Sequence, residues 1–249
     1  MHLHTKALVL RETAYKESDK ILTLLTQEQG KLTASARGCR RKGSPLAAGS
    51  QLLVWSDFIL YEYQGRWSVK EAEVEREFRG MREDLDKFSL GCYFGEVTQA
   101  LALEGLPSPE MLSLILNSLH ALDRLDRPLA LVKGAFELRA MCLAGYEPVL
   151  DACAVCSCQP EEPRFHLREG VLHCARCRGE VGDGVSMPLD QGALAAMRHV
   201  AYGDPKRLFS FQLEEKSLSA FADVAEAYLL TQLERGFSTL DFYKSLRLS

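Results

Sequence analysis

Two pairs of cysteines carry the strongest chemical signal in this 249-residue chain. Cys153 and Cys156 form one Cys-x-x-Cys pair and Cys174 and Cys177 a second, with 17 residues, Ser157 to His173, between them. That spacing is one used by four-thiolate zinc sites. The two-residue gap turns both sulfurs of a pair toward one ion, at a Zn–S distance of about 2.3 Å in a tetrahedral shell. Four thiolates close the shell and leave no position for a reactive water, so the expected role is structural binding of one Zn²⁺ per chain. Two alternatives stand beside this ligand set. Cys158 lies two residues past Cys156 and can exchange with it, and His166 or His173 can replace a thiolate. A set of unrelated buried thiols is the plain alternative to any metal.

The second signal is charge. No acidic residue occurs from Gln29 through Ser56, while Lys31, Arg37, Arg40, Arg41 and Lys42 all fall in that window. The run from Arg37 to Pro45 contains Gly38 and Gly43, which makes it a loop leaving a strand and not a helix face. A cationic loop of this kind suits phosphate contacts, because arginine forks onto a phosphate and releases condensed counterions. A solvated loop that serves solubility is the alternative reading. Tyr61, Tyr63 and Trp67 could stack on bases, although strand packing is their ordinary use. Tyr15 sits among Lys16, Glu17 and Asp19, a polar setting that predicts exposure.

These residues need elements to hold them. Lys6–Leu10, Ile21–Thr26, Lys31–Arg37, the stretches Leu52–Trp55 and Phe58–Tyr63, and Trp67–Val74 read as β-strands, with glycine turns at Gln27–Gly30 and Gln64–Gly65. Five strands in about eighty residues predict a small barrel of the OB-fold type, with an SH3-like barrel as the near alternative. From Arg82 the apolar period becomes helical. Helices are expected over 85–101, from a cap at Ser108 with Pro109 in the first turn, from Pro128 to a stop at Gly145, and over 190–202, 216–235 and 238–246. Phe165–Leu167 and Val171–His173 flank Arg168-Glu169-Gly170 as a hairpin between the cysteine pairs. The expected fold class is α+β, with an OB-fold-like DNA-binding barrel over 1–80 and a helical domain over 81–249. The zinc hairpin is inserted over 146–186.

Composition is that of a globular protein, with 47% hydrophobic residues and a formal net charge of −4. The charge excludes a uniformly basic coat but not a local basic patch. No run approaches the roughly 18 apolar residues of a membrane span, and Met1–Lys6 lacks a signal-peptide core. A cytoplasmic protein with reduced thiols and no membrane partner is expected.

Three stretches together resemble the bacterial RecO family of recombination mediators, along essentially the whole chain. They are Ala7-Leu8-Val9-Leu10-Arg11 with Tyr15, Glu17, Asp19 and Lys20; Gly30-Lys31-Leu32-Thr33 with Ala36-Arg37-Gly38; and Gly145-Tyr146-Glu147-Pro148 with Leu150, Cys153 and Cys156. The last is the most specific. Tyr228-Leu229-Leu230 and Phe242-Tyr243 fit the closing helices loosely. The resemblance implies an N-terminal OB-fold, a helical domain carrying zinc, and binding to single- and double-stranded DNA. It further implies annealing of complementary strands and joint work with RecR. Such proteins help RecA displace the single-stranded-DNA-binding protein, whose acidic, aromatic tail they grip, which places them at the nucleoid. Glycine often follows the second cysteine of the family's knuckle, whereas this chain has Ser157 and then Cys158.

On this reading Lys31, Arg37, Arg40, Arg41 and Lys42 neutralise backbone phosphates, with Arg11 and Arg66 as secondary contacts. Arg124, Arg127 or Arg139 could line a groove for the acidic tail, the alternative being ordinary solvated helix charges. The protein is not expected to be an enzyme. The motifs H-E-x-x-H and G-x-x-x-x-G-K-[ST] are absent, as is H-x-E paired with P-C-x-x-C. Glu71, Glu73, Glu75 and Glu77 alternate as a solvated strand edge does. A zinc-dependent nuclease or deaminase and a pure protein adaptor are the rival classes.

Overall fold

The computed structural model describes residues 1–180 and 182–247, the Arg178 side chain excepted. The chain groups into two compact units. One gathers Met1–Arg124 with the stretch from Phe237 onward, and the other is Leu125–Gly236.

In the first unit, β1 (His2–Tyr15), β2 (Asp19–Thr26), β3 (Gly30–Ala36), β4 (Trp55–Tyr63) and β5 (Arg66–Arg76) close a barrel in the order β1-β2-β3-β5-β4. The β3–β5 pair is parallel and brings Ala34 opposite Trp67. All the other neighbours are antiparallel. Period-two alternation sends Ala7, Val9, Leu22, Leu24, Leu32, Ala34, Phe58 and Leu60 inward, and all are buried in one cluster. The turn at Gln64 and Gly65 has positive φ at both positions, 50° and 72°, the twist that a two-residue hairpin needs.

Leu52–Val54, expected as strand, is a turn. Leu53 adopts φ 58°, and its N–H donates to the Val9 carbonyl at 2.8 Å where β1 is bulged between Val9 and Arg11. Its side chain is fully buried against Gly91 and Gly95, where a Cβ would meet Leu53 methyls at 3.2 and 3.3 Å. Tertiary packing under a helix therefore overrides the β-propensity of this stretch.

Gly30 ends the β2–β3 turn with φ +59°, and a Cβ there would sit 2.0 Å from the Leu106 carbonyl oxygen. Gly30→Ala meets both the left-handed penalty and a backbone clash. It is expected to lower unfolding free energy by about 2–3 kcal/mol, read from the urea midpoint.

Helices α1 (Arg79–Arg82), α2 (Leu85–Leu101), α3 (Pro109–Arg124) and α7 (Ser238–Leu246) belong with the barrel, and α4 (Leu129–Leu143), α5 (Gln191–Tyr202) and α6 (Glu215–Leu233) with the second unit. Asp84 and Asp190 cap α2 and α5 by accepting from the Lys87 and Ala193 N–H groups. In α4, Gly134 lets the helix approach α6 so closely that a Cβ would lie 2.8 Å from the Phe221 ring. The second unit also holds a small sheet. β6 (Arg164–His166) pairs with β7 (Val171–His173) as the expected hairpin, and β8 (Ser186–Pro188) adds a third strand on the other side of β6. Among the described residues, no helix is long and apolar enough to cross a membrane.

Candidate metal centre and nucleic-acid interface

The three-stranded sheet is too small to bury a core of its own, and α5 and α6 support it. Phe165 is fully buried and meets the Tyr228 ring edge-on at 5.1 Å. Gln232 donates to the Leu167 and Arg168 carbonyls at 2.8 Å each. From α5, Arg198 donates to the Leu150 and Asp151 carbonyls. The Tyr202 hydroxyl accepts from the Leu150 N–H and donates to the Pro148 carbonyl. The loop carrying the first cysteine pair is thus tied to a rigid helix before it turns.

That turn is tight. The Cys153 N–H donates to the Cys158 carbonyl and the Ser157 N–H to the Cys153 carbonyl, both at 2.9 Å, and Ser157 takes φ 57°. The Ala154 N–H donates to Leu172 O at 2.8 Å, which joins this knuckle to β7. Cys174 follows β7 directly, and a 3₁₀ turn over Ala175–Glu180 carries Cys177 back beneath it. The sulfurs of Cys153, Cys156, Cys174 and Cys177 consequently lie within 4.8 Å of one another. The Cys156–Cys174 separation is 3.8 Å, and a regular tetrahedron with Zn–S of about 2.3 Å has edges of about 3.8 Å.

Electrostatics favour thiolate at Cys174 and Cys153 and oppose it at Cys177, which its contact with the Cys174 sulfur, with burial, holds above the ordinary thiol value. The Cys177 backbone N–H, with the Cys177 thiol, draws Cys174 down to about 6. Burial opposes ionisation of Cys153, yet backbone N–H groups of Cys156 and Cys174 outweigh it and hold that thiol below its ordinary value. The Cys174 N–H lies 3.4 Å from the Cys153 sulfur. Two of the four sulfurs are thus already biased toward the charged form that a dication takes as ligand. Four neighbouring cysteines are therefore able to hold a metal ion.

The alternative ligands are placed differently. Cys158 lies on the rim, 3.2 Å from the Cys156 sulfur, outside the four-sulfur group. His166 and His173 are buried and act as struts. His166 Nδ1 accepts from the Glu169 N–H, and its Nε2 faces the Gly182 carbonyl at 3.0 Å. His173 Nδ1 faces the Cys174 carbonyl and its Nε2 the Ser186 hydroxyl at 2.8 Å.

The cationic loop leaves the barrel after β3. Cys39 and Leu46 are buried in the barrel core, so both ends of the loop are pinned while Arg37, Arg40, Arg41 and Lys42 are exposed. The Asp19 carboxylate accepts from the Gly38 N–H at 2.8 Å, and the Arg40 N–H donates to Ser18 O at 3.0 Å. These bonds hold the basic loop against the β1–β2 turn. The Gly38 N–H keeps the Asp19 carboxyl below its usual range, and Lys16 and Arg41 add to the effect. Tyr15, half exposed, enters the same turn with the Lys16 ammonium 5.3 Å from its ring centre. Lys16 completes a cluster that the sequence window from Gln29 to Ser56 misses, because it is adjacent only through the Ser18–Arg40 pairing.

Arg11 is exposed and stands opposite Thr23, which stands opposite Thr33. Thr13, Ile21 and Ser35 form the next row. This outward face of β1, β2 and β3 carries no carboxylate in those two rows, and Arg37 continues from it into the loop. Arg66 is exposed at the β4–β5 turn, one residue from the Trp67 that pairs with Ala34. Lys31 lies apart, at the far end of β3, where its ammonium donates to the Gln99 carbonyl at 2.9 Å. Arg124, in the first unit, pairs with Asp123 at 2.8 Å. Arg127 and Arg139 are in the second, and Arg139 donates to the Val200 and Ala201 carbonyls at the end of α5.

The family model described as "Recombination protein O N terminal" matches residues 1–78, and "Recombination protein O C terminal" matches 82–241. "DNA repair protein RecO" of Acetivibrio thermocellus is 32% identical over 248 residues, covering 98% of this chain and 97% of that protein. The proteins of the same name from Symbiobacterium thermophilum and Alkaliphilus metalliredigens are 31% and 28% identical, covering 96% and 99% of this chain and 96% and 100% of their own lengths. A closed five-stranded barrel, helices and a four-cysteine cluster, with the two family models matching residues 1–78 and 82–241, place this chain in the RecO family of DNA repair proteins.

Proposed function

We propose that the chain is a recombination mediator. It binds single- and double-stranded DNA through the barrel of residues 1–80, anneals complementary strands, and with RecR helps load RecA onto DNA coated by the single-stranded-DNA-binding protein. The observation that carries this reading is the pinned, exposed loop of Arg37, Arg40, Arg41 and Lys42 beside Tyr15 and Lys16, at the edge of the β1–β2–β3 face. In barrels of this type that face and the flanking loops are the usual place for nucleic acid. Cations on a backbone path neutralise phosphates without reading sequence, as a protein that acts wherever a gap opens requires. Arg11 and Arg66 flank the path. Screening both strands' phosphates lowers the repulsion between them, so annealing needs no nucleotide hydrolysis and no catalytic residue.

Zinc is the metal proposed for the four-cysteine cluster, since soft thiolates in a tetrahedral set select it over hard cations. Its role is to hold the small sheet together within the helical domain of residues 81–249.

Fluorescence anisotropy of a labelled single-stranded oligonucleotide across a salt series, without ATP, tests the DNA reading. Five phosphate contacts, from Arg37, Arg40, Arg41, Lys42 and Lys16, give a log K against log salt slope of roughly −3.5, and Arg40→Ala/Arg41→Ala/Lys42→Ala is expected to flatten it to about −1.4. Unchanged binding in that variant, with its circular dichroism intact, would remove the loop from the site. No binding even at low salt would instead favour a protein adaptor.

A further inference from the structure

The fifth cysteine of the metal segment has no part in the proposed ligand set, yet it is in contact with it. Cys158 Sγ lies 3.2 Å from Cys156 Sγ, about an ångström beyond a disulfide bond length of about 2.0 Å. The residue between them, Ser157, has φ 57°, and this left-handed turn brings both sulfurs to the same side of the loop. Cys156 is also the exposed member of the four ligands, while Cys153, Cys174 and Cys177 are buried. A surface cleft of about 410 Å³ lined by Cys158, Pro160, Glu161, Cys174 and Arg176 opens onto Cys158. Small solutes in water can therefore reach the Cys158 sulfur directly.

We propose that Cys156 and Cys158 form a redox modification site, in which a hydroperoxide joins them in a disulfide and dismantles the metal site. Cys158, free of the ligand set and facing the cleft, reacts first. The Cys158 sulfur, passing its proton to water, attacks one oxygen of hydrogen peroxide, the O–O bond breaks, and Cys158 becomes a sulfenic acid as hydroxide leaves. The Cys156 sulfur, already in contact, then attacks the Cys158 sulfur and expels a second hydroxide. Two thiols and one peroxide become one disulfide and two waters once protons are counted. Cys156 is withdrawn from the ligand set and three sulfurs remain, too few to fill a closed tetrahedral shell. The chain would then lose its metal under peroxide stress, and a dithiol reductant would restore the pair. The metal-release part rests on the zinc reading above, whereas formation of the disulfide does not.

The test uses the full-length metal-loaded protein treated with hydrogen peroxide. Metal release is followed with a chromophoric chelator, and the cysteine pairing is mapped by mass spectrometry of non-reduced peptides. The wild type is expected to release metal in step with the loss of two hydrogen masses from the peptide holding Cys156 and Cys158. Cys158→Ser, which leaves all four ligands in place, is expected to load metal normally and release it about tenfold more slowly, because the sulfur that reacts first is gone and Cys156 has no sulfenic acid beside it to attack. Equal release rates in the two proteins, or a disulfide mapped to Cys174 and Cys177, would overturn the proposal. Protein that binds no metal would overturn the zinc reading alone, since pairing of Cys156 with Cys158 can be mapped on metal-free chain.

Discussion

Cys153→Ser, or removal of the metal by a strong chelator, is expected to melt the segment between about Val149 and Pro188 and to abolish stoichiometric metal binding. The three strands of this sheet are three residues each, far below what stands alone in water. Its buried interior is little more than Phe165, Leu167, Leu172, His166, His173 and the three buried cysteines, Cys153, Cys174 and Cys177. Structural zinc contributes on the order of 10–16 kcal/mol in isolated zinc-finger peptides. Here a smaller fraction is expressed as unfolding free energy, because Arg198, Tyr202, Tyr228 and Gln232 still tether the segment to α5 and α6. A loss of about 3–5 kcal/mol is expected, a fall in thermal midpoint on the order of 10 °C for a chain of this size. Serine supplies a hard, protonated oxygen in place of a thiolate and cannot rescue the shell. Hydrogen exchange read by mass spectrometry would show peptides over 149–188 losing protection, with metal content measured on the same samples. Retention of one metal per chain and of protection in Cys153→Ser would remove Cys153 from the ligand set. Cys158→Ser serves as the matched control.

The four-cysteine cluster was legible because its information is local. Two tight Cys-x-x-Cys turns and a hairpin between them fix most of the geometry within 25 residues, so residue spacing nearly determines sulfur positions. What spacing could not give was the surroundings. The two histidines look like spare ligands in one dimension, and only the fold shows their ring nitrogens facing Gly182, Glu169, Cys174 and Ser186. The third strand, β8, was missed for a similar reason. Ser186-Met187-Pro188 has no alternation to read and becomes a strand only because β6 offers a free edge.

The barrel shows the same division. Hairpins joined by short glycine turns were visible, whereas the parallel β3–β5 pairing joins residues over thirty positions apart and has no sequence signature. Charge was readable as a tally but not as a surface. Lys31 and Arg40 count equally in the acid-free window. Yet Lys31 is held against the last turn of α2 through Gln99, while Arg40 sits on an exposed loop. Lys16, outside the window altogether, is brought beside that loop through Ser18 and Asp19. Arg124, Arg127 and Arg139 likewise suggested a groove by type alone. Arg139 turns out to hold the end of α5, a task that helix periodicity cannot reveal.

Lys133→Met is expected to destabilise the second unit by about 3–5 kcal/mol, the cost typical of removing one partner from a buried ionic group. Lys133 is 7% exposed and lies between Glu137, fully buried one turn along α4, and Glu226 of α6. Its ammonium is 2.9 Å from Glu137 Oε1 and 2.8 Å from Glu226 Oε2. Burial by itself would pull Lys133 down, but the two carboxylates outweigh it and raise its pKa above the ordinary lysine value. A raised lysine value adds stability that is complete below the unfolded pKa of about 10.4 and fades as pH climbs through the folded one. The contribution of the ammonium itself is therefore constant across neutral pH and fades only in strong alkali. Carboxylates left without it protonate more readily, so the deficit of the variant is expected to be larger at pH 9 than at pH 7. Methionine fills the volume of the lysine stem, so a cavity is not the cause; the loss comes from two carboxylates left without the cation they face. Replacing all three, as Lys133→Met/Glu137→Leu/Glu226→Met, should recover part of the stability, since an apolar cluster of similar volume carries no desolvation penalty. Urea unfolding of the three proteins at pH 7 and pH 9 decides the matter. A single variant as stable as the wild type, or a triple variant worse than the single, would show that the ammonium is not what makes these carboxylates tolerable between α4 and α6.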